Sequence, residues 1–151
     1  MPNSGAKRLG LALDADALER AEAALKNLAS EFDGWMQDEI ARIGAARAQA
    51  RAAAYDETSL TALHRCAHDI KGLGATYDYP LATDIAASLC RLVDTPAGRA
   101  RAKSRPIVVE AHVDAIRAIF SAQIRTADHP VARELLAELG RQVAALTAVE
   151  R

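Results

Sequence analysis

Apolar residues recur every three or four positions along most of the chain, with polar residues between them. That period belongs to helices with one buried face. Leu18, Ala21, Leu25 and Leu28 form the first stripe, behind Asp14 as a cap, and predict a helix over about residues 15–29. Ser30 with Asp33 resembles a capping box and predicts a fresh start. The second helix covers about 31–54, with Phe32, Trp35, Met36, Ile40, Ile43, Ala46, Ala50 and Ala53 inward and Asp38 paired with Arg42 outside. Asp56 and Thr58 supply the break before a third helix, about 58–76. Pro80 opens a fourth, about 80–94, that buries Leu81, Ile85, Leu89 and Leu92. TPAGRARAKSRP, residues 95–106, reads as a connecting loop. Pro106 opens a fifth helix, about 106–125, with Val109, Val113, Ile116, Phe120 and Ile124 inward. Asp128 and Pro130 mark the start of a sixth, about 131–148, presenting Leu135, Leu136, Leu139, Val143 and Leu146. Residues 1–13 read as a flexible tail and 14–151 as a single helical domain. No hairpin signal or internal repeat interrupts this order, so an all-α antiparallel bundle is the natural packing.

Composition agrees with helix. Half of the 151 residues are apolar and only 4% are aromatic. Alanine, leucine, glutamate and arginine lose little rotamer freedom in a helix. The net charge of −1 implies no bulk attraction to nucleic acid or to an acidic membrane. Arg99, Arg101, Lys103 and Arg105 lack the interleaved aromatics of a nucleic-acid grip and read as a solvated loop. The N-terminal residues have no continuous apolar run, which predicts neither a signal peptide nor a membrane span. Cys66 and Cys90 form no spaced ligand pattern and read as packed, reduced thiols in a cytoplasmic protein.

The third helix carries the candidate chemistry. At about 100° per residue, Leu60, Leu63, Ala67, Ile70, Leu73, Gly74 and Tyr77 share one arc, which faces the bundle. His68 lies opposite, flanked by His64, Lys71, Gly72 and Ala75, with Arg65 close by. An imidazole in water is largely neutral at pH 7 and can attack phosphorus to hold a phosphoryl group. A cation one turn away stabilises charge on the phosphoryl oxygens in transit. Lys71 is so placed. Gly72 costs a helix about 1 kcal/mol against alanine. In return it lets a partner's surface approach the imidazole. Gly74 carries the same cost toward the core, where it permits tight packing.

AHDIKG, residues 67–72, resembles the phosphoacceptor motif of histidine-containing phosphotransfer (HPt) domains. The resemblance spans about residues 31–126 and is sharpest at 67–74. It implies an antiparallel four-helix bundle, here with additional N-terminal and C-terminal helices. It implies that His68 is the phosphoacceptor through Nε2, Lys71 the cation and Gly72 the clearance position. His64, Arg65 and Ala75 then border the surface that meets phosphate or partner. Such a protein is a phosphocarrier rather than a kinase. Its partners are receiver domains of response regulators and a (hybrid) histidine kinase. It binds no cofactor of its own, because the partner receiver supplies Mg²⁺, and its default state is a monomer. Two features depart from the family: Asp78 stands where many members have glycine about ten positions after the histidine, and the next helix begins early at Pro80.

Other readings compete. A bundle can bind receivers or kinases as an adaptor without taking phosphate. His64 and His68, at i,i+4, have a spacing that can bind zinc. Arg65 follows His64 where a zinc protease needs glutamate, however, and Cys66 points about 160° away from His68. No closed metal site is expected. His112 and His129 read as a bundle-flank and a loop residue.

Overall fold

The computed structural model describes residues 14–148; the tail predicted at 1–13 lies outside them. All regular elements among the described residues are helices. They are α1 (Ala15–Ala52), α2 (Glu57–Leu73), α3 (Pro80–Val93), α4 (Pro96–Ser104), α5 (Pro106–Ser121) and α6 (Pro130–Ala148). None of them is long and apolar enough to cross a membrane.

Helix α1 replaces the two helices expected over 15–54. The apparent capping box at Ser30 is bypassed. Serine or aspartate inside a helix costs only about 0.5 kcal/mol against alanine, too little to end it. The described residues up to Gly34 form one compact unit and those from Trp35 onward another. In the first unit, Leu18, Leu25 and Leu28 of the apolar stripe are exposed.

In the second unit, Met36, Ile43, Ala46 and Ala50 of α1 are buried as their spacing predicts. Trp35, expected in the core, is 46% exposed. One side of its ring meets Tyr77, with centroids 5.9 Å apart. Arg42 bonds Glu39 at 2.6 Å instead of the expected Asp38. The C-terminal end of α1 is tied to α5 by charge. Arg51 holds Glu110 through two hydrogen bonds of 2.5 and 2.6 Å. Arg47, whose side chain is only 7% exposed, pairs with Glu110 and Asp114. The Tyr55 hydroxyl donates to Glu110 as well. Burial alone would push the Glu110 carboxyl up; hydrogen bonds from Arg51 and Tyr55, with the charges of Arg51 and Arg47, bring it below its usual range.

Helix α3 sits centrally, packed on α2, α5 and α4, and α6 packs on α5. The α3 residues Leu81, Ile85, Leu89 and Leu92 are buried, as expected. Residues 96–104 form a helix where a loop was predicted. Its breakers have helical jobs. Thr95 caps it, accepting from the Gly98 amide at 3.0 Å, and Pro96 stands at its first turn. A Cβ on Gly98 would fall 2.3 Å from the Leu92 carbonyl oxygen, so only glycine lets α4 pack this closely. Arg99 then bridges the Val93 carbonyl (3.1 Å) and Glu57 (2.9 Å).

His112 is fully buried, not at the bundle flank as expected. Its Nδ1 donates to the Val108 carbonyl at 2.7 Å, which leaves Nε2 to accept from the Ser88 hydroxyl at 2.9 Å. Burial pushes its pKa below the ordinary histidine value, despite the bond to Val108. The unfolded chain therefore binds this proton more readily, and stability rises with pH. The contribution is complete above about pH 6.5 and is lost as pH falls below it. The thermal midpoint is expected to drop between about pH 7.5 and pH 5.5; a midpoint flat over that range would contradict this role for His112.

Candidate functional site

Helix α2 positions the site. Asp56 caps it by accepting from the Ser59 amide at 2.8 Å. Leu60, Leu63, Ala67 and Ile70 are completely buried, while Leu73 and Tyr77 are half-buried. These contacts fix the rotation of the helix, and so decide which residues face water. The side chain of His68 is 66% exposed, and Arg65, Lys71 and Gly72 are exposed beside it. His64 is half-buried one turn before, its ring centroid 6.5 Å from that of His68.

The two glycines have opposite surroundings. A Cβ on Gly72 would meet nothing within 4 Å. One on Gly74 would lie 2.5 Å from Thr83 Oγ1 and 3.0 Å from both the Thr83 nitrogen and the Tyr79 oxygen. Gly74 is thus where the end of α2 meets the start of α3, and Gly72 leaves open space beside His68.

The helix expected to reach residue 76 ends at Leu73. Ala75, expected on the helical flank of His68, lies in the following turn, exposed, with its amide bonded to Thr83 Oγ1 at 2.9 Å. Asp78 takes a left-handed conformation, φ 68°. Aspartate tolerates that region better than most residues, although glycine does so best. Arg125 holds the turn from outside. It donates to the Asp78 carbonyl (3.0 Å) and the Tyr79 hydroxyl (3.0 Å), and its guanidinium lies 4.1 Å over the Tyr79 ring. Tyr79 is itself fully buried against Phe120.

Two features of the site escaped the sequence reading. Asp69 brings a carboxylate oxygen 4.0 Å from His68 Nδ1. As an immediate neighbour in the chain it carried no spacing signal. Arg125 lies 47 residues from Asp78, beyond any local pattern. The cysteines do not join the site: Cys90 is buried and Cys66 half-buried, and burial pushes both thiols up. His129 stands just before α6, its Nδ1 accepting from the Val131 amide. A scan of protein-family models and searches of curated proteins and solved structures found no match to this chain.

Proposed function

We propose that this protein is a histidine phosphotransfer protein of a two-component phosphorelay, with His68 as the phosphoacceptor. One observation carries the reading. An exposed histidine stands beside an open glycine surface, with a lysine one turn on, along a helix whose other face is locked in the core. In this reading, α1 from Trp35 onward, α2, α3 and α5 are the four bundle helices of HPt type, and α6 is an addition. The left-handed Asp78 supports it too, because that residue takes up the backbone conformation that suits the family's glycine.

The chemistry follows from the residues. A lone pair on the His68 ring attacks the phosphorus of a receiver's aspartyl phosphate. The N–P bond forms as the P–O bond to the aspartate breaks, and the carboxylate leaves. Lys71 stabilises the oxygens of the phosphoryl group in flight. The reverse sequence delivers the group to a second receiver aspartate. The receivers would bring the Mg²⁺, and the whole relay would operate in the cytoplasm.

Incubation with a phosphorylated cognate receiver is expected to label the protein with acid-labile phosphate and to leave His68→Gln unlabelled. Equal labelling of the variant would sink the assignment. Receiver binding that persists in His68→Ala, with no labelling by any receiver, would identify an adaptor instead.

A further inference from the structure

His64 and His68 lie one helical turn apart on the same side of α2, with ring centroids 6.5 Å apart and ring planes inclined by 31°. The phosphotransfer reading makes the second of them the nucleophile and places the first only at the border of the partner surface. We infer that the two imidazoles form an open, exchangeable site for a divalent transition-metal ion of the zinc, copper or nickel class, and that occupancy of this site silences His68. The second half of this inference rests on the proposed phosphoacceptor role; the first half does not.

Geometry comes first. A zinc–nitrogen bond is about 2.0–2.1 Å, so two imidazoles on one tetrahedral ion have centroids about 5 Å apart. The rings must therefore close by about 1–1.5 Å to share an ion. His68 is exposed and His64 half-buried, so rotation about the side-chain bonds supplies that movement without shifting the helix. The helix backbone is held by the buried contacts of Leu60, Leu63, Ala67 and Ile70, which keeps the two histidines in register.

Charge and ligand type then set the class of ion. Imidazole nitrogen suits zinc, copper and nickel, whereas magnesium and calcium prefer oxygen ligands. Asp69 contributes negative charge beside His68, while Arg65 and Lys71 oppose it. No group of three or more metal-ligating side chains converges among the described residues. Two protein ligands leave the remaining positions to water, which makes the site weak and reversible rather than structural.

The consequence for function lies in one electron pair. A neutral imidazole has one ring nitrogen with a free lone pair, and the other carries hydrogen. The ion and the phosphorus of the donor compete for that pair on His68. Metal binding is therefore a brake that acts on the nucleophile itself and is released when the ion leaves. The magnesium that accompanies receivers would not apply it.

Calorimetric titration of the full chain with Zn²⁺ tests the site without any phosphoryl donor. Binding is expected in the wild type, to be weakened at least tenfold in both His64→Gln and His68→Gln, and to persist in Cys66→Ala. Absence of binding in the wild type overturns the proposal. So does unchanged affinity in either histidine variant, or loss of binding in Cys66→Ala. Because no phosphoryl transfer is measured, these outcomes are separate from the fate of the phosphoacceptor assignment. With a functioning relay in hand, the zinc concentration that halts transfer should rise at least tenfold in His64→Gln.

Discussion

Gly72→Leu should stop phosphotransfer while leaving the protein slightly more stable than the wild type. The stability gain comes from replacing a helix-interior glycine on an exposed surface, about 1 kcal/mol. Space is available, because a Cβ at this position would meet nothing within 4 Å. The loss of transfer has the same origin. In the proposed function, the open space beside His68 is what a receiver would enter to bring its phosphoryl group within bonding reach. A leucine there holds the donor back, and misplacement of about 1 Å can cost roughly 100-fold in rate. A loss of at least about 100-fold is expected in single-turnover transfer from a phosphorylated receiver. Undiminished transfer would show that clearance at Gly72 is not needed. Gly74→Ala supplies the contrast. Its new methyl group would press on backbone atoms of Tyr79 and Thr83 and displace the Thr83 hydroxyl that holds the Ala75 amide. Overpacking of this kind costs about 1–3 kcal/mol.

The largest expected effect on stability lies away from the site, at Glu110→Ala. Glu110 receives hydrogen bonds from Arg51 and Tyr55 and pairs with Arg47, whose side chain is almost wholly buried. Removing a partner from a buried charge costs about 3–5 kcal/mol, because the remaining charge stays desolvated. Arg47 keeps Asp114, which places the expected loss near the lower end, about 3 kcal/mol. For a chain of this size that lowers the thermal midpoint by roughly 6–12 °C. A shift below about 2 °C would mean that the cluster links α1 to α5 without stabilising the fold.

The helical character, and the faces of α2, α3 and α5, were readable because their apolar residues recur at one period and because Asp56, Pro80 and Pro106 mark where each begins. The short helix Pro96–Ser104 was not. It is polar, and its proline and glycine resemble loop punctuation until the Leu92 carbonyl is seen against Gly98. The continuity of α1 through Ser30 was hidden for the opposite reason, a cap-like local pattern with no break behind it. Leu18, Leu25 and Leu28 show the limit of periodicity: it identifies a stripe but does not say that anything covers it.

At the site, the exposed positions of His68, Lys71 and Gly72 were legible from the helical wheel, since the buried arc of α2 determines what lies opposite. Ala75 was misplaced because the helix stops three residues earlier than its pattern suggested. The stop depends on the packing of Gly74 against Thr83 and on the clamp of Arg125 over Asp78 and Tyr79. Arg125 acts from 47 residues away, and the sequence marked Gly74 as a close-packing position without showing what packs on it. Asp78, where the sequence departs from the motif it resembles, takes a left-handed conformation that glycine adopts without cost.

The most direct test of the proposed function is to locate the phosphoryl group itself. After transfer from a phosphorylated receiver, phosphorus NMR and peptide mapping at alkaline pH should find a single phosphohistidine at His68, carried on Nε2, which an unphosphorylated receiver then discharges. Phosphate found on any other residue, or a His68 that stays unmodified with every receiver of the source organism, would contradict the account.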